Sequence, residues 1–248
     1  MPVFYINSIN IKNGTLIISG ELLNHIKNSL RCKVNDSIRV IDENRISYKT
    51  RIFRITKHSL EATIIQHEVL PPPSSPPLIL APALVKKNKM DALLEKAAEF
   101  GVSEIIPLIT KRTIIHPNQE RWDHQKSRWQ KILLEASQQS EQSAPPNIQQ
   151  PINLISFLNR PYSNTRFIFL ENETVSLKKI FSSRPPVDPN DPITLIIGPE
   201  GGFEQNEIDL SIEKGYISVS LGRHKFRSET AVMAALTLIQ YELGYFGQ

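Results

Sequence analysis

Two rhythms of apolar residues divide the chain. Residues 3–7, 15–20, 37–42, 47–55 and 60–66 are short runs rich in β-branched or alternating apolar positions. A period of two predicts strands with one face turned to a core. Polar breaks such as Lys12-Asn13-Gly14 and Asp42-Glu43-Asn44 separate the runs. One stretch, 21–31, instead spaces Leu22, Leu23, Ile26 and Leu30 at helical intervals. Together these predict a small β-barrel with one helix.

The run Leu70-Pro71-Pro72-Pro73-Ser74-Ser75-Pro76-Pro77 ends that region. Proline fixes φ and lacks an amide donor, so the run suits neither a helix interior nor a sheet interior and predicts a stiff linker. Beyond it, strand and helix alternate. Residues 78–84, 104–109, 166–170, 193–197 and 217–221 read as strands, several of them short apolar runs without alternation. Such runs suit a sheet buried on both faces. Helices are predicted over 89–100, 119–139, 204–214 and 228–243. The first of these puts Met90, Leu93, Leu94, Ala97 and Ala98 on one face, with Gly101 ending it. The long one carries Trp122, Trp129, Ile132, Leu133 and Ala136. Residues 183–192 are proline-rich and read as an irregular loop. The expected organisation is a β-barrel over 1–70, a linker over 71–77, and an α/β domain with a mainly parallel sheet over 78–248.

Composition narrows the class. The 248 residues are 40% hydrophobic and 22% charged, as in an ordinary globular protein. No apolar run reaches the roughly 18–20 residues of a membrane span, and the first residues lack the basic start and apolar stretch of a signal peptide. A cytoplasmic location is expected. Cys32 is the sole cysteine, which excludes an intrachain disulfide and a zinc site of several thiolates. The six histidines form no His-x-x-x-His pair, so no metal is expected. The net charge of +4 permits a polyanionic partner without requiring one.

The chemistry concentrates beyond the last three predicted strands, where ligands bind in open α/β sheets. The loops there are Leu170-Glu171-Asn172-Glu173, then Gly198-Pro199-Glu200-Gly201-Gly202-Phe203, then Leu221-Gly222-Arg223-His224-Lys225-Phe226-Arg227. Glycines in the middle loop allow positive φ and close approach to the main chain, and the free amides of the helix after it point into the same space. A plain strand-to-helix turn would look similar, but the two sister loops favour a ligand site. Neither Gly-x-x-x-x-Gly-Lys-Ser/Thr nor Gly-x-Gly-x-x-Gly occurs, which argues against triphosphate and dinucleotide binding. In the last loop Ser228 stands where a helix cap belongs, and Glu229 suits the first-turn dipole. Arg223, Lys225 and Arg227 form a basic trio beside the glycine turn.

The pattern Ile196-Ile197-Gly198-Pro199-Glu200-Gly201-Gly202-Phe203, with Leu221-Gly222 and Arg227-Ser228-Glu229-Thr230-Ala231, resembles the small-subunit (16S) rRNA uridine-N3 methyltransferases of the SPOUT superfamily. His25, Leu30-Arg31 and Asn35-Asp36 resemble that family's N-terminal RNA-binding segment. Lys86, Met90, Lys96 to Val102, Arg112, and Trp129 with Glu135-Ala136 and Gln139-Ser140 match further motifs. Two places depart from the pattern. Glu141-Gln142 stand where similar proteins carry Gly-Arg, and Lys225-Phe226 where they carry Ile-Leu.

The resemblance implies a PUA-like barrel followed by a SPOUT α/β domain with a C-terminal trefoil knot. It implies a homodimer and S-adenosylmethionine bound in the knot. Leu170, Glu171, Gly198, Pro199, Glu200, Gly201, Gly202, Leu221, Gly222, Phe226, Arg227 and Ala231 would hold that cofactor. The methyl group would pass to N3 of a uridine in the 16S rRNA of the small subunit. Arg227 would stabilise the uridine anion, and Glu229 or Glu200 would accept the proton. Arg31, Lys86, Lys96, Arg112, Arg223 and Lys225 would contact RNA, although solvated surface charge accounts for Lys96 equally well. Two other functions share these features: a methyltransferase acting on another RNA or on ribose 2′-OH, and an RNA-binding protein without catalysis.

Overall fold

The computed structural model describes residues 3–71, 76–115, 122–161, 165–171, 173–183 and 187–245. Four expected features reach outside them: 72–75 of the linker, 119–121 at the start of the long helix, Asn172, and 184–186 of the irregular loop. By contacts the chain forms two compact units, Met1–Pro72 with Gln138–Ala144, and Pro73–Ser137 with Pro145–Gln248.

In the first unit β1 (Val3–Tyr5), β2 (Ile11–Lys12), β3 (Thr15–Ile18), β4 (Ser37–Ile41), β5 (Ile46–Ile55) and β6 (Leu60–Val69) form one sheet in the order β1-β4-β5-β6-β3-β2. Alternation places Phe4, Leu16, Ile18, Ile38, Val40 and Ile52 in a single core. Between β3 and β4 runs helix α1 (Gly20–Asn24), which widens over His25–Ser29 so that the Leu30 amide donates to the His25 carbonyl at 3.3 Å. The turn ends at Arg31, φ 53°. The returning segment is tied in by the Tyr5 hydroxyl, which donates to the Gln142 carbonyl at 2.7 Å. Glu141 there holds φ 55°, the left-handed region that favours glycine.

The second unit is built on β7 (Leu78–Pro82), with α2 (Lys87–Glu99), β8 (Glu104–Ile105), β9 (Leu108–Ile109), α3 (Trp122–Gln139), β10 (Asn147–Ile148), β11 (Ile152–Asn153) and α4 (Leu154–Leu158) following. Then come β12 (Thr165–Phe169), α5 (Leu177–Ser182), β13 (Ile193–Ile197), α6 (Gln205–Glu213), β14 (Ile217–Val219) and α7 (Ser228–Glu242). The main sheet is parallel throughout, in the order β10-β8-β7-β13-β12-β14. Every residue of β7 and β13 is buried, as expected for strands covered on both faces. Leu78, Leu80, Leu195 and Ile197 join one core with α2, α3, α5 and α7. Ile79, Ala81 and Ile196 join the other with α4 and with Phe203. In this order β13 lies between β7 and β12, and β14 takes the outer edge.

Two local expectations fail. The run 104–109 is two strands, because Pro107 cannot donate to a ladder. β8 stays in the main sheet while β9 pairs with β11 in a separate two-stranded sheet. Ser228 is not the cap of α7. Arg227 occupies that position with extended φ and ψ, and its side chain makes no capping bond.

Candidate active site

β14, β12 and β13 are adjacent and parallel, so the loops leaving them open at one edge of the sheet. They enclose a cavity of ≈ 440 Å³. Leu170, Glu171 and Glu173 line it from the first loop; Gly198, Pro199, Gly201 and Gly202 from the second; Leu221, Gly222, His224 and Phe226 from the third. Phe169, Ile197 and Phe203 give it apolar walls, and Ser228 and Ala231 reach it from the start of α7.

Each glycine of the middle turn answers a different demand. The Gly202 amide donates to the Pro199 carbonyl at 2.9 Å and closes the turn, with Gly202 at φ 67°. A Cβ on Gly198 would lie 2.9 Å from the Phe203 ring, so the space a side chain would need is filled by the protein's own core. Gly201 packs under Arg112, whose Nη1 donates to the Gly201 carbonyl at 2.8 Å. The third loop is tied to this turn by Ser228, whose hydroxyl donates to the Gly198 carbonyl at 3.0 Å. Ser228 is therefore a cross-loop link in place of the expected cap. The start of α6 offers fewer free amides than expected. The Glu204 amide donates to the Glu207 carboxylate at 3.0 Å, and the Lys111 amide donates to its other oxygen at 2.9 Å.

The three expected catalytic side chains lie outside the cavity lining. Glu200 faces Lys89, whose ammonium donates to Oε1 at 2.6 Å. That ammonium holds the Glu200 carboxyl below the usual carboxylate range, which makes it an ion-pair partner and a weak proton acceptor. Arg227 is exposed at the head of α7. Glu229, in the first turn of α7, keeps its Oε2 buried with no hydrogen-bond partner among the described residues. Among the expected cofactor residues, Glu200 and Arg227 border the cavity in sequence without lining it, and the other ten line it.

The expected RNA contacts divide. Arg112 is part of the cavity wall. Lys225 pairs with Glu171 at 2.9 Å. Lys96 is held on its own helix by Glu99 at 2.8 Å and Glu95 at 3.2 Å, first the one and then the other raising its pKa. Lys86 and Arg223 are exposed, and Arg31 is exposed in the first unit. No group of three or more potential metal ligands occurs among the described residues, and no helix there is long and apolar enough to cross a membrane.

An RNA methyltransferase domain family matches residues 72–240, and the PUA domain of RNA methyltransferases matches residues 18–65. The ribosomal RNA small subunit methyltransferase E of Rickettsia conorii is 31% identical, over 95% of this chain and 93% of its own. The chain belongs to this RNA methyltransferase family. The methyltransferase is also similar to solved structures. One is a ribosomal RNA small subunit methyltransferase E of Neisseria gonorrhoeae bound to S-adenosyl methionine, with TM-score 0.87, 29% identity and 100% of both chains covered. Another, from Legionella pneumophila in complex with the bound cofactor SAM, has TM-score 0.85, 27% identity and 96% of both chains covered.

Several wall residues of the methyltransferase were not singled out from sequence. Phe203 closes the glycine motif, but its place in the wall shows only in its contact with Gly198. Glu173 sits one residue past a residue outside the described set, and its partner Ser218 is distant in sequence. Ile208 and Ile212 come from α6, where apolar spacing reads as ordinary helix packing. His224 lies within the third loop and carried no signal of its own.

Proposed function

We propose that this methyltransferase transfers a methyl group from S-adenosylmethionine to N3 of a uridine in 16S rRNA of the small ribosomal subunit. The observation that carries the reading is the cavity shared by three loops at the ends of β12, β13 and β14, in a chain of this family. At ≈ 440 Å³ it falls within the roughly 300–1,000 Å³ of small-molecule sites. Its residues fit an adenosine-bearing ligand. Phe169, Ile197, Phe203 and Leu221 offer apolar surface for a flat ring. Main-chain groups of the Gly198–Gly202 turn and of Leu221-Gly222 lie at the wall for its edges, the Gly198, Pro199 and Gly201 carbonyls already accepting one bond each from Ser228, Gly202 and Arg112. Leu170, Glu171, Pro199, Phe226 and Ala231 complete the lining, with Glu200 and Arg227 at its border.

When bound, S-adenosylmethionine supplies an electrophilic methyl on a cationic sulfur. The chain's part is orientation and proton management. Holding two reactants in line can lower a barrier by roughly 7–11 kcal/mol in the best intramolecular cases. Uridine N3–H is a weak acid, so the reaction needs its anion stabilised. Arg227 is exposed and unpaired among the described residues, free to meet that charge. Glu229 is the preferred proton acceptor, since its Oε2 has no hydrogen-bond partner among the described residues while Glu200 is occupied by Lys89. The target base must leave its stack, at a cost of a few kcal/mol.

The reading extends to organisation. A PUA-like RNA-binding barrel over 1–70 and a linker over 71–77 precede the catalytic domain over 78–248, and the protein works as a homodimer in the cytoplasm. Arg31, Lys86, Arg112, Arg223 and Lys225 contact RNA, with Lys96 as the weakest member. Deleting the gene in its host and digesting the small-subunit rRNA to nucleosides tests the reading. Loss of one 3-methyluridine, restored by this chain, is expected. An unchanged 3-methyluridine content, or a lost 2′-O-methyl nucleoside, contradicts it.

A further inference from the structure

Among the described residues two carboxylates, Glu171 and Glu173, line the cavity, and they are not equivalent. Glu171 is neutralised, its Oε2 lying 2.9 Å from the Lys225 ammonium. Glu173 has no cation within ion-pair distance among the described residues. Its partners are neutral donors: the amides of Thr174 and Val175 donate to Oε1 at 2.7 and 3.3 Å, and the Ser218 hydroxyl donates to Oε2 at 2.5 Å. These bonds, the Ser218 hydroxyl first, hold the Glu173 carboxyl below the usual carboxylate range. They also fix it in place, since Ser218 belongs to β14 while Thr174 and Val175 lead into α5.

A carboxylate has about four lone-pair sites, and three are filled here by the protein itself. Little hydrogen-bonding capacity is left for a ligand. What the group still presents is a fixed, uncompensated negative charge on the wall of a partly apolar cavity. A charge acts on a ligand through its sign and is screened less there than in open water.

We propose that Glu173 is a specificity-determining residue that selects a positively charged ligand in this cavity, favouring the sulfonium donor over the neutral product. The inference rests on the cofactor reading above. In the reaction the sulfur–methyl bond breaks and the nitrogen–methyl bond forms. The sulfur keeps the electron pair and becomes an uncharged thioether, and the N3 proton leaves to a base. The cation that Glu173 attracts therefore vanishes with turnover, so the spent cofactor is held less tightly than the fresh one.

Calorimetry on the full chain with three probes tests this. They are S-adenosylmethionine, S-adenosylhomocysteine, and sinefungin, which places a carbon-bound ammonium where the sulfonium stands. In Glu173→Gln the affinities for the two cations fall about fivefold or more, while S-adenosylhomocysteine stays within about twofold of wild type. Glu173→Asp, which keeps the charge, retains the preference. Equal weakening for all three probes marks a hydrogen-bonding or structural role and overturns the inference, as does no change for any of them. Should Glu173→Gln not fold, wild type decides: rising salt must weaken the two cations and leave S-adenosylhomocysteine unaffected, and equal salt dependence overturns the inference. A wild-type protein that binds none of the probes removes the cofactor reading and this inference with it. Binding of all three without a change of preference removes this inference alone.

Discussion

The turn Gly198–Gly202 and the loop from Leu221 to Arg227 form facing parts of one cavity, yet they are built in opposite ways. The turn is packed on its own chain. Gly198 abuts the Phe203 ring, Gly201 lies beneath Arg112, and the turn is closed by the bond from Gly202 to Pro199. The other loop is exposed from Gly222 to Arg227 and carries three cations. Its firm attachment comes just after it, at Ser228, whose hydroxyl reaches the Gly198 carbonyl. A rigid wall suits a ligand whose orientation decides the reaction, and an open basic one suits a large polyanion that must arrive and leave. On the function proposed above, the turn serves the methyl donor together with Leu221, Gly222 and Phe226, and the exposed cations of the loop serve RNA.

That division can be broken at either end. Gly198→Ala is expected to have the largest effect. Its Cβ would sit 2.9 Å from a ring that is only 8% exposed. Overpacking of this kind costs roughly 1–3 kcal/mol, so urea unfolding will show a destabilised protein and calorimetry no binding of S-adenosylmethionine. Arg227→Ala should lower single-turnover methylation by about 10²–10³-fold, the loss typical of one charge-stabilising donor. Affinity for the cofactor should remain that of wild type, because Arg227 lies outside the lining. Equal loss of binding would place Arg227 with the turn and erase the division.

Ser228→Ala is a smaller perturbation. It removes the hydroxyl bond that joins the two walls, worth about 1 kcal/mol, and should weaken cofactor binding modestly with a matching fall in denaturation midpoint. Glu200→Gln should change least, within about 1 kcal/mol, as exposed ion pairs do. Its pH dependence has a definite sign. The folded-state carboxyl is lowered by Lys89, so the pair stabilises above the ordinary glutamate value of about 4.3. That contribution fades as pH falls through the folded-state value. The stability difference between wild type and variant should therefore be present at neutral pH and shrink in acid.

How much of this was legible in the sequence depends on how local each cause is. β13 was readable as a continuous apolar run because both of its faces are buried, in two different cores. The face of α2 that carries Met90, Leu93, Leu94, Ala97 and Ala98 was equally plain, since helical spacing sets it. β8 and β9 read as one strand because six apolar-rich residues hide the single proline that separates them. α4 and α5, of 5 and 6 residues, are too short to show a period. At the site, the glycine turn was visible from composition, while the reasons for its glycines were not. The Phe203 ring, the Arg112 side chain and the Ser228 hydroxyl act on the turn through space, the last of them from 30 residues away. Ser228 also shows why a local signal can mislead: a serine before a helix satisfies the cap pattern, yet its hydroxyl is spent on another loop.

The most direct test of the account is methyl transfer to small-subunit particles that lack modification. The purified protein is supplied with methyl-labelled S-adenosylmethionine, and the rRNA is then digested and its nucleosides weighed by mass spectrometry. The account predicts label in 3-methyluridine at one uridine per particle. Label in a 2′-O-methyl nucleoside, or none in the RNA, contradicts it.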